Sequence, residues 1–179
     1  SGDERTVLFK DTFWQPLTEN GFSTHEIRQG SFFTREGKHI VNGGGLSYAN
    51  ARSLMHYLLK IEQGRLIDPW TSRTMKRLLY VTERRIRYAS SPALKKAAVY
   101  FKSGSLYSCK KEEGFQCGAY KGNVKNYMNS VAIVEQQIGG IRLHYAVALI
   151  SNVLRKNSAV LHQSLGTGIH KLIRDRHDL

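Results

Sequence analysis

The apolar run Ala97-Ala98-Val99-Tyr100-Phe101 leads directly into Lys102-Ser103-Gly104-Ser105-Leu106. If that run is a strand, its exposed end carries three different capacities side by side. The Lys102 ammonium attracts a carboxylate, the Ser103 hydroxyl hydrogen-bonds it, and Gly104, lacking a Cβ, lets a ligand approach the backbone. Such a box suits acyl chemistry on a compound that bears a carboxylate. The alternative is a lysine and a serine at an ordinary strand end, so the surroundings must decide.

Other reactive residue types are sparse. The two cysteines, Cys109 and Cys117, fall in one short polar segment whose spacing suits a bridge across a hairpin or loop. Paired, they indicate an oxidising compartment; unpaired, they are ordinary small residues. The seven histidines are scattered, with no Cys-x-x-Cys or His-x-x-x-His pair, so no metal site and no cofactor is implied. Each histidine reads as a surface or a satisfied core residue.

A net charge of +13 raises affinity for nucleic acid, anionic lipid or an acidic polymer. Arg73, Lys76, Arg77, Arg84, Arg85, Arg87, Lys95 and Lys96 cluster, but without zinc-finger spacing or an aromatic-glycine RNA-binding signature. A solvated basic face accounts for them. No apolar run approaches the roughly 20 residues of a membrane span.

The elements that must position the box follow from periodicity. At 179 residues with 41% hydrophobic content, one domain with a sizeable core is expected. Residues 6–20 have helical spacing of Val7, Phe9, Phe13, Trp14 and Leu17, with Gly21 as the stop. Residues 22–45 read as a long loop ending in three glycines. Ser47 is expected to cap a helix with a Leu54, Met55, Leu58, Leu59 and Ile61 stripe that ends at Gly64. Asp68 and Pro69 start a second helix, with Trp70, Met75, Leu78 and Leu79 as its buried face, and Ser91-Pro92 starts a short turn. The sheet is expected over residues 97–152, where residues 127–134 and 143–152 form an antiparallel hairpin turned by Gly139-Gly140. Asn157 caps a closing helix over residues 157–174, with Leu161, Leu165, Ile169, Leu172 and Ile173 at helical spacing and Gly166 and Gly168 weakening it. The fold class is α/β in the α+β sense: helices, an antiparallel sheet of at least three strands, and a C-terminal helix.

This order, with Lys-Ser-Gly on the first of the three strands, resembles the C-terminal part of the penicillin-binding protein and class A β-lactamase superfamily of serine hydrolases. The resemblance covers roughly residues 47–173. It is carried by the helix of residues 46–59, the Gly64-Arg65-Leu66 turn, the helix of residues 68–79, Ile86-Arg87-Tyr88, and Phe101-Lys102-Ser103-Gly104-Ser105-Leu106. It implies that Lys102 and Ser103 contact a substrate carboxylate and that the Ser105 backbone N–H serves an oxyanion hole.

The chain departs from the family at the nucleophile, which lies in a Ser-x-x-Lys box at the start of a helix well before the other motifs. No such box precedes Lys102. Ser108-Cys109-Lys110-Lys111 fits the letters, yet it follows the Lys-Ser-Gly strand in a segment without a helix signal, so Ser108 and Lys111 are a chance match. Tyr48-Ala49-Asn50 fits the family's second box but stands at a helix start and reads as structural. Ser1-Gly2-Asp3 resembles a fragment of that same box, for which a scar at the terminus is at least as good a reading, and neither Glu26 nor Glu36 has the neighbours of a deacylating glutamate.

The expectation is therefore a chain that supplies one wall of a serine hydrolase site, acting on a β-lactam or peptidoglycan-related acyl compound, without its nucleophile. Two sheet strands of the family come from its N-terminal part. A missing N-terminal segment, a partner chain or a self-associated dimer is expected to cover the strand edge left open. The resemblance and the cysteine pair together imply an extracytoplasmic location, periplasmic or secreted. A basic binding module for nucleic acid or an acidic envelope polymer, or an inactive scaffold, is the competing reading.

Overall fold

The computed structural model describes residues 18–28, 30, 47–82 and 84–179. It is a mixed α/β fold with helices, a three-stranded antiparallel sheet and a C-terminal helix. Two compact units divide it, residues 1–75 and 76–179, with the boundary inside a helix.

In the first unit, strands β1 (Ile27–Arg28) and β2 (Tyr48–Ala49) pair antiparallel. Helix α1 (Ala51–Glu62) follows. Its cap is Asn50, whose side chain accepts from the Ser53 N–H at 2.7 Å, and not Ser47 as the sequence suggested. Ser47 stands ahead of β2 instead, and its hydroxyl accepts from the Gly30 N–H at 2.9 Å. Tyr48-Ala49-Asn50 thus has a structural use as strand and cap. Leu58 and Ile61 are buried, while Leu59 is exposed.

Helix α2 (Pro69–Tyr80) starts as its sequence dictates. The Asp68 carboxylate accepts from the Thr71 N–H at 2.8 Å and from the Thr71 hydroxyl at 2.6 Å, satisfying an N–H that the helix itself leaves open. Its expected buried face is corrected by the structure: Trp70 and Leu78 are 72% and 64% exposed, and Ser72 is buried because its hydroxyl holds the Leu66 N–H at 3.1 Å. The helix expected over residues 6–20 and most of the 22–45 loop lie outside the described residues.

The second unit holds the sheet. Two 3-10 turns, Arg87–Ser90 and Pro92–Leu94, lead into β3 (Ala98–Ser108), β4 (Lys125–Ile138) and β5 (Ile141–Asn152), in that spatial order. The last two are longer than periodicity alone indicated, because the Gly139-Gly140 turn is tight. Both glycines have positive φ, +52° and +85°, and Ile138 pairs directly with Ile141. Such a two-residue turn matches the strand twist and fixes the register of the whole hairpin.

Alternation then sorts the side chains. On one face, Val99, Phe101, Ala132, Val134 and Val147 join Tyr88, Ala89, Leu94 and Ala97 in a continuous core. Each large apolar side chain so buried contributes about 1.5–3 kcal/mol. Helix α3 (Ser158–Asp175) packs on this side, capped by the Asn157 side chain, which accepts from the Ala159 and Val160 N–H groups.

The face that α3 buries differs from the leucine stripe read from the sequence. The buried residues are Ser158, His162, Gly166 and His170, four residues apart in turn, whereas Leu165 and Leu172 are 47% and 56% exposed. Gly166 explains the choice. A Cβ there would lie 2.9 Å from both the Tyr88 carbonyl oxygen and the Ser91 Cβ, so the glycine lets the helix approach the 3-10 turns closely. No helix among the described residues is long and apolar enough to cross a membrane.

Candidate functional site on strand β3

The Lys-Ser-Gly box lies in the middle of β3, where the strand passes from the core to solvent. Val99 and Phe101 are buried, Ser103 is half-buried, and Lys102, Gly104 and Ser105 are exposed. Among the described residues β3 is an edge strand, paired only with β4. Alternate N–H groups along it therefore point away from the ladder, where a ligand could meet them.

Alternation also separates the two residues expected to act together. Lys102 stands on the face away from α3, with its ammonium 3.5 Å from the Ser103 carbonyl oxygen. Ser103 and Ser105 stand on the α3 side, opposite Ser130 and Met128 of β4. A ligand touching both Lys102 and Ser103 must lie along the open edge of β3, where both faces can be reached.

Behind Ser103 runs a chain of polar side chains that sequence reasoning missed. The Ser103 and Ser130 hydroxyls are 3.2 Å apart, Ser130 Oγ is 3.0 Å from His162 Nδ1, and His162 Nε2 is 2.8 Å from the Ser151 hydroxyl. Ser151 also lies 3.4 Å from the Met128 carbonyl oxygen, to which it can only donate. Ser130 and His162 are each 1% exposed. Polar groups so deeply buried require partners, since leaving one unsatisfied costs about 1–3 kcal/mol. Burial, followed by the positive charge of Arg87, holds the His162 imidazole below its ordinary pKa. The signal available in the sequence was the four-residue spacing of Ser158, His162, Gly166 and His170, which the more hydrophobic leucine stripe outweighed.

Arg87 borders the same site. Its guanidinium donates to the Ser105 hydroxyl at 2.9 Å and lies 5.0 Å from the centre of the Tyr120 ring, which meets Tyr107 edge-on. Arg87 itself has φ of +54°, sparsely populated for a side chain of its size. The Ser90 hydroxyl holds that turn by donating to the Arg87 carbonyl at 2.7 Å.

The Tyr120 segment is fixed in turn by the Cys109–Cys117 disulfide, whose Cα atoms are 6.2 Å apart, and by buried Asn126. The Asn126 side chain accepts from the Gly122 N–H at 3.1 Å and donates to the carbonyls of Val153 and Lys156 at 2.6 and 2.8 Å. Ser108 closes β3 and Lys111 lies exposed in the disulfide loop, so no helix carries the Ser-x-x-Lys letters.

Part of the basic cluster serves internal contacts. Arg85 donates to the carbonyls of Leu94 and Ala97, and Lys76 pairs with Glu135 at 2.6 Å. Arg142 binds the second Glu135 oxygen at 2.9 Å, and these partners hold the Glu135 carboxyl below its usual range against the opposing effect of burial.

No family model matches the chain. No curated protein matches it either. The fold is similar to the solved structure of the penicillin-binding protein PBP-A, with a TM-score of 0.52 and 13% identity. The match covers 90% of this chain and 50% of that one, so this chain spans half the length of the solved chain. At that identity the likeness is one of fold.

Proposed function

We propose that this chain is the C-terminal portion of a β-lactamase-like domain and supplies the carboxylate-binding wall of a serine acyl hydrolase or transpeptidase. The observation that carries the reading is the Lys-Ser-Gly box on an open edge strand, within a fold similar to a penicillin-binding protein. In this reading Lys102 and Ser103 bind the carboxylate of a β-lactam or peptidoglycan-related acyl compound, Gly104 admits it to the strand, and the Ser105 N–H polarises its carbonyl. The nucleophile comes from an N-terminal segment or a partner chain. Two features support such a partner: β5 has no strand on its outer edge among the described residues, and α3 presents Leu161, Leu165, Ile169 and Leu172 as an apolar groove. The disulfide supports an extracytoplasmic, oxidising location.

Intact-mass spectrometry after exposure to benzylpenicillin tests this reading on the chain and on its longest natural precursor. An adduct on the precursor alone is expected, and Lys102→Ala in the precursor should slow acylation. Acylation unchanged by that substitution removes Lys102 from the site.

The competing reading, a nucleic-acid or acidic-polymer binding module, is favoured by the net charge of +13. Affinity that falls steeply with salt would support it. Lys76, Arg85 and Arg87 are poorly suited to it, because each already has a partner within the fold.

A further inference from the structure

We propose that His162 is a positioning residue for the Lys-Ser-Gly box: a carboxylate bound at Ser103 reverses the Ser103–Ser130–His162 hydrogen-bond chain and places a proton on His162 Nδ1. This rests on the carboxylate-binding reading above and assigns the buried side chains behind it a role in ligand recognition.

The count of protons along the chain sets its direction. Without ligand, one sense of the chain gives every proton an acceptor inside the protein. Ser103 donates to Ser130, Ser130 donates to His162 Nδ1, His162 Nε2–H donates to Ser151, and Ser151 donates to the Met128 carbonyl. In the opposite sense with a neutral imidazole, the Ser103 proton turns outward and Ser151 gives up its bond to the Met128 carbonyl. The inward sense is therefore preferred in the empty site, and it leaves Ser103 showing lone pairs to the ligand.

A carboxylate has lone pairs only and needs the Ser103 O–H. The demand is met with the Ser151 bond to Met128 kept when one proton enters from water at Ser103 and each hydroxyl passes its own proton one place inward. Ser103 then donates to the carboxylate, Ser130 donates to Ser103, and His162 Nδ1–H donates to Ser130. Nε2–H, Ser151 and Met128 keep their arrangement, and His162 ends as imidazolium. One proton is taken up for each carboxylate bound, and its charge offsets that of the carboxylate.

The surroundings contain few other groups that titrate. From the 3-10 turn, Arg87 adds a positive charge and Tyr88 is held above its usual pKa by burial. The Pro92–Leu94 turn contributes none, and β4 presents Met128, Ser130, Ala132 and Val134. β5 presents Tyr145, which bonds His170 at 3.1 Å further along α3, where Arg174 also lies. Lys102 and Glu135 are on the opposite face of the sheet.

The experiment is a titration of the full chain with benzylpenicillin, whose carboxylate stays ionised throughout, at about pH 7.5 and about pH 5.5, followed by protein NMR. Affinity should rise on acidification, by roughly tenfold per pH unit at its steepest. The His162 Nδ1 resonance should move from the acceptor to the N–H type on saturation. Ser130→Ala, which cuts the chain but keeps the imidazole, should flatten the pH dependence, as should His162→Gln. The penicillin methyl ester should show no such dependence. Equal affinity at both pH values, or an Nδ1 that stays unprotonated in the complex, overturns the proposal even if both variants fail to fold. No binding to the folded chain at either pH overturns the carboxylate reading itself.

Discussion

The sheet face beneath α3 changes character halfway along β3. At one end Val99, Phe101, Ala132, Val134 and Val147 interlock as an apolar core. Two residues further along β3 and β4, and four along β5, the same strands present Ser103, Ser130 and Ser151 to a buried histidine. Both ends are buried by the same helix, yet only the first is the least costly way to fill the space. Burying Ser130 and His162, with Ser103 and Ser151 half-buried beside them, requires that each be aimed at another, so sequence choice there is constrained by direction as well as by volume. Direction matters little for a packed core and much for a site that must present a donor.

Substitutions at the two ends should therefore fail differently. Phe101→Ala, in the apolar half, should cost about 3–5 kcal/mol in denaturant unfolding, since it deletes a ring and leaves a cavity. A loss below 1 kcal/mol would mean that the core is not anchored there.

The two glycines of α3 differ in what surrounds them. Gly166→Ala forces a Cβ against the Tyr88 carbonyl and the Ser91 side chain and should destabilise by about 1–3 kcal/mol. Gly168→Ala meets nothing within 4 Å. It should stabilise by about 0.5–1 kcal/mol through helix propensity. Thermal unfolding of the pair would refute the close approach if both changes moved the midpoint the same way.

Ser130→Ala should be milder in stability, about 1–2 kcal/mol, because it removes partners from Ser103 and His162 while keeping the volume almost unchanged. Its larger effect belongs to ligand binding, which the apolar substitutions cannot reproduce without unfolding the unit.

The buried histidines give the smallest effect. Burial lowers the pKa of His162, with Arg87 adding to it, and burial with Arg174 lowers that of His170. Each folded-state value then lies below the unfolded one, so the unfolded chain binds more protons in the window between them. Stability is fully present above the unfolded value near 6.5 and is lost as pH falls through that window. Denaturant midpoints should decline between about pH 7.5 and about pH 5, and His170→Gln should remove part of the slope. His170 is the informative partner because its Nε2 has no hydrogen bond, whereas both ring nitrogens of His162 are held. A midpoint that rises on acidification would contradict both assignments.

What was legible in the sequence divides along the same line. Capping residues announce themselves locally, so Asp68 and Asn157 were readable, and the Gly139-Gly140 turn marked the hairpin. The apolar run into Lys102 placed the box on β3, and the cysteine spacing allowed the Cys109–Cys117 bridge. Ser47 has the residue type of a cap, but the short pairing of Tyr48-Ala49 moves the helix start to Asn50.

The leucines of α3 misled for a different reason. Hydrophobicity predicts which face prefers burial, but the close approach at Gly166 and the hydrogen-bond partners of His162 decided which face was buried. Ser130 and Ser151 could not be linked to Ser103 without the strand register, since the three are brought together by pairing across β3, β4 and β5.

On the proposed reading, the open edge of β3 at Lys102–Ser105 is a carboxylate-binding wall. The most direct measurement is an amide chemical-shift map of the chain titrated with benzylpenicillin and, separately, with its methyl ester. The account predicts shifts centred on Lys102, Ser103, Gly104 and Ser105, extending to Ser130, with the free acid only, and weakened roughly tenfold or more by Lys102→Ala. Shifts confined to other surfaces, or identical responses to acid and ester, would contradict it.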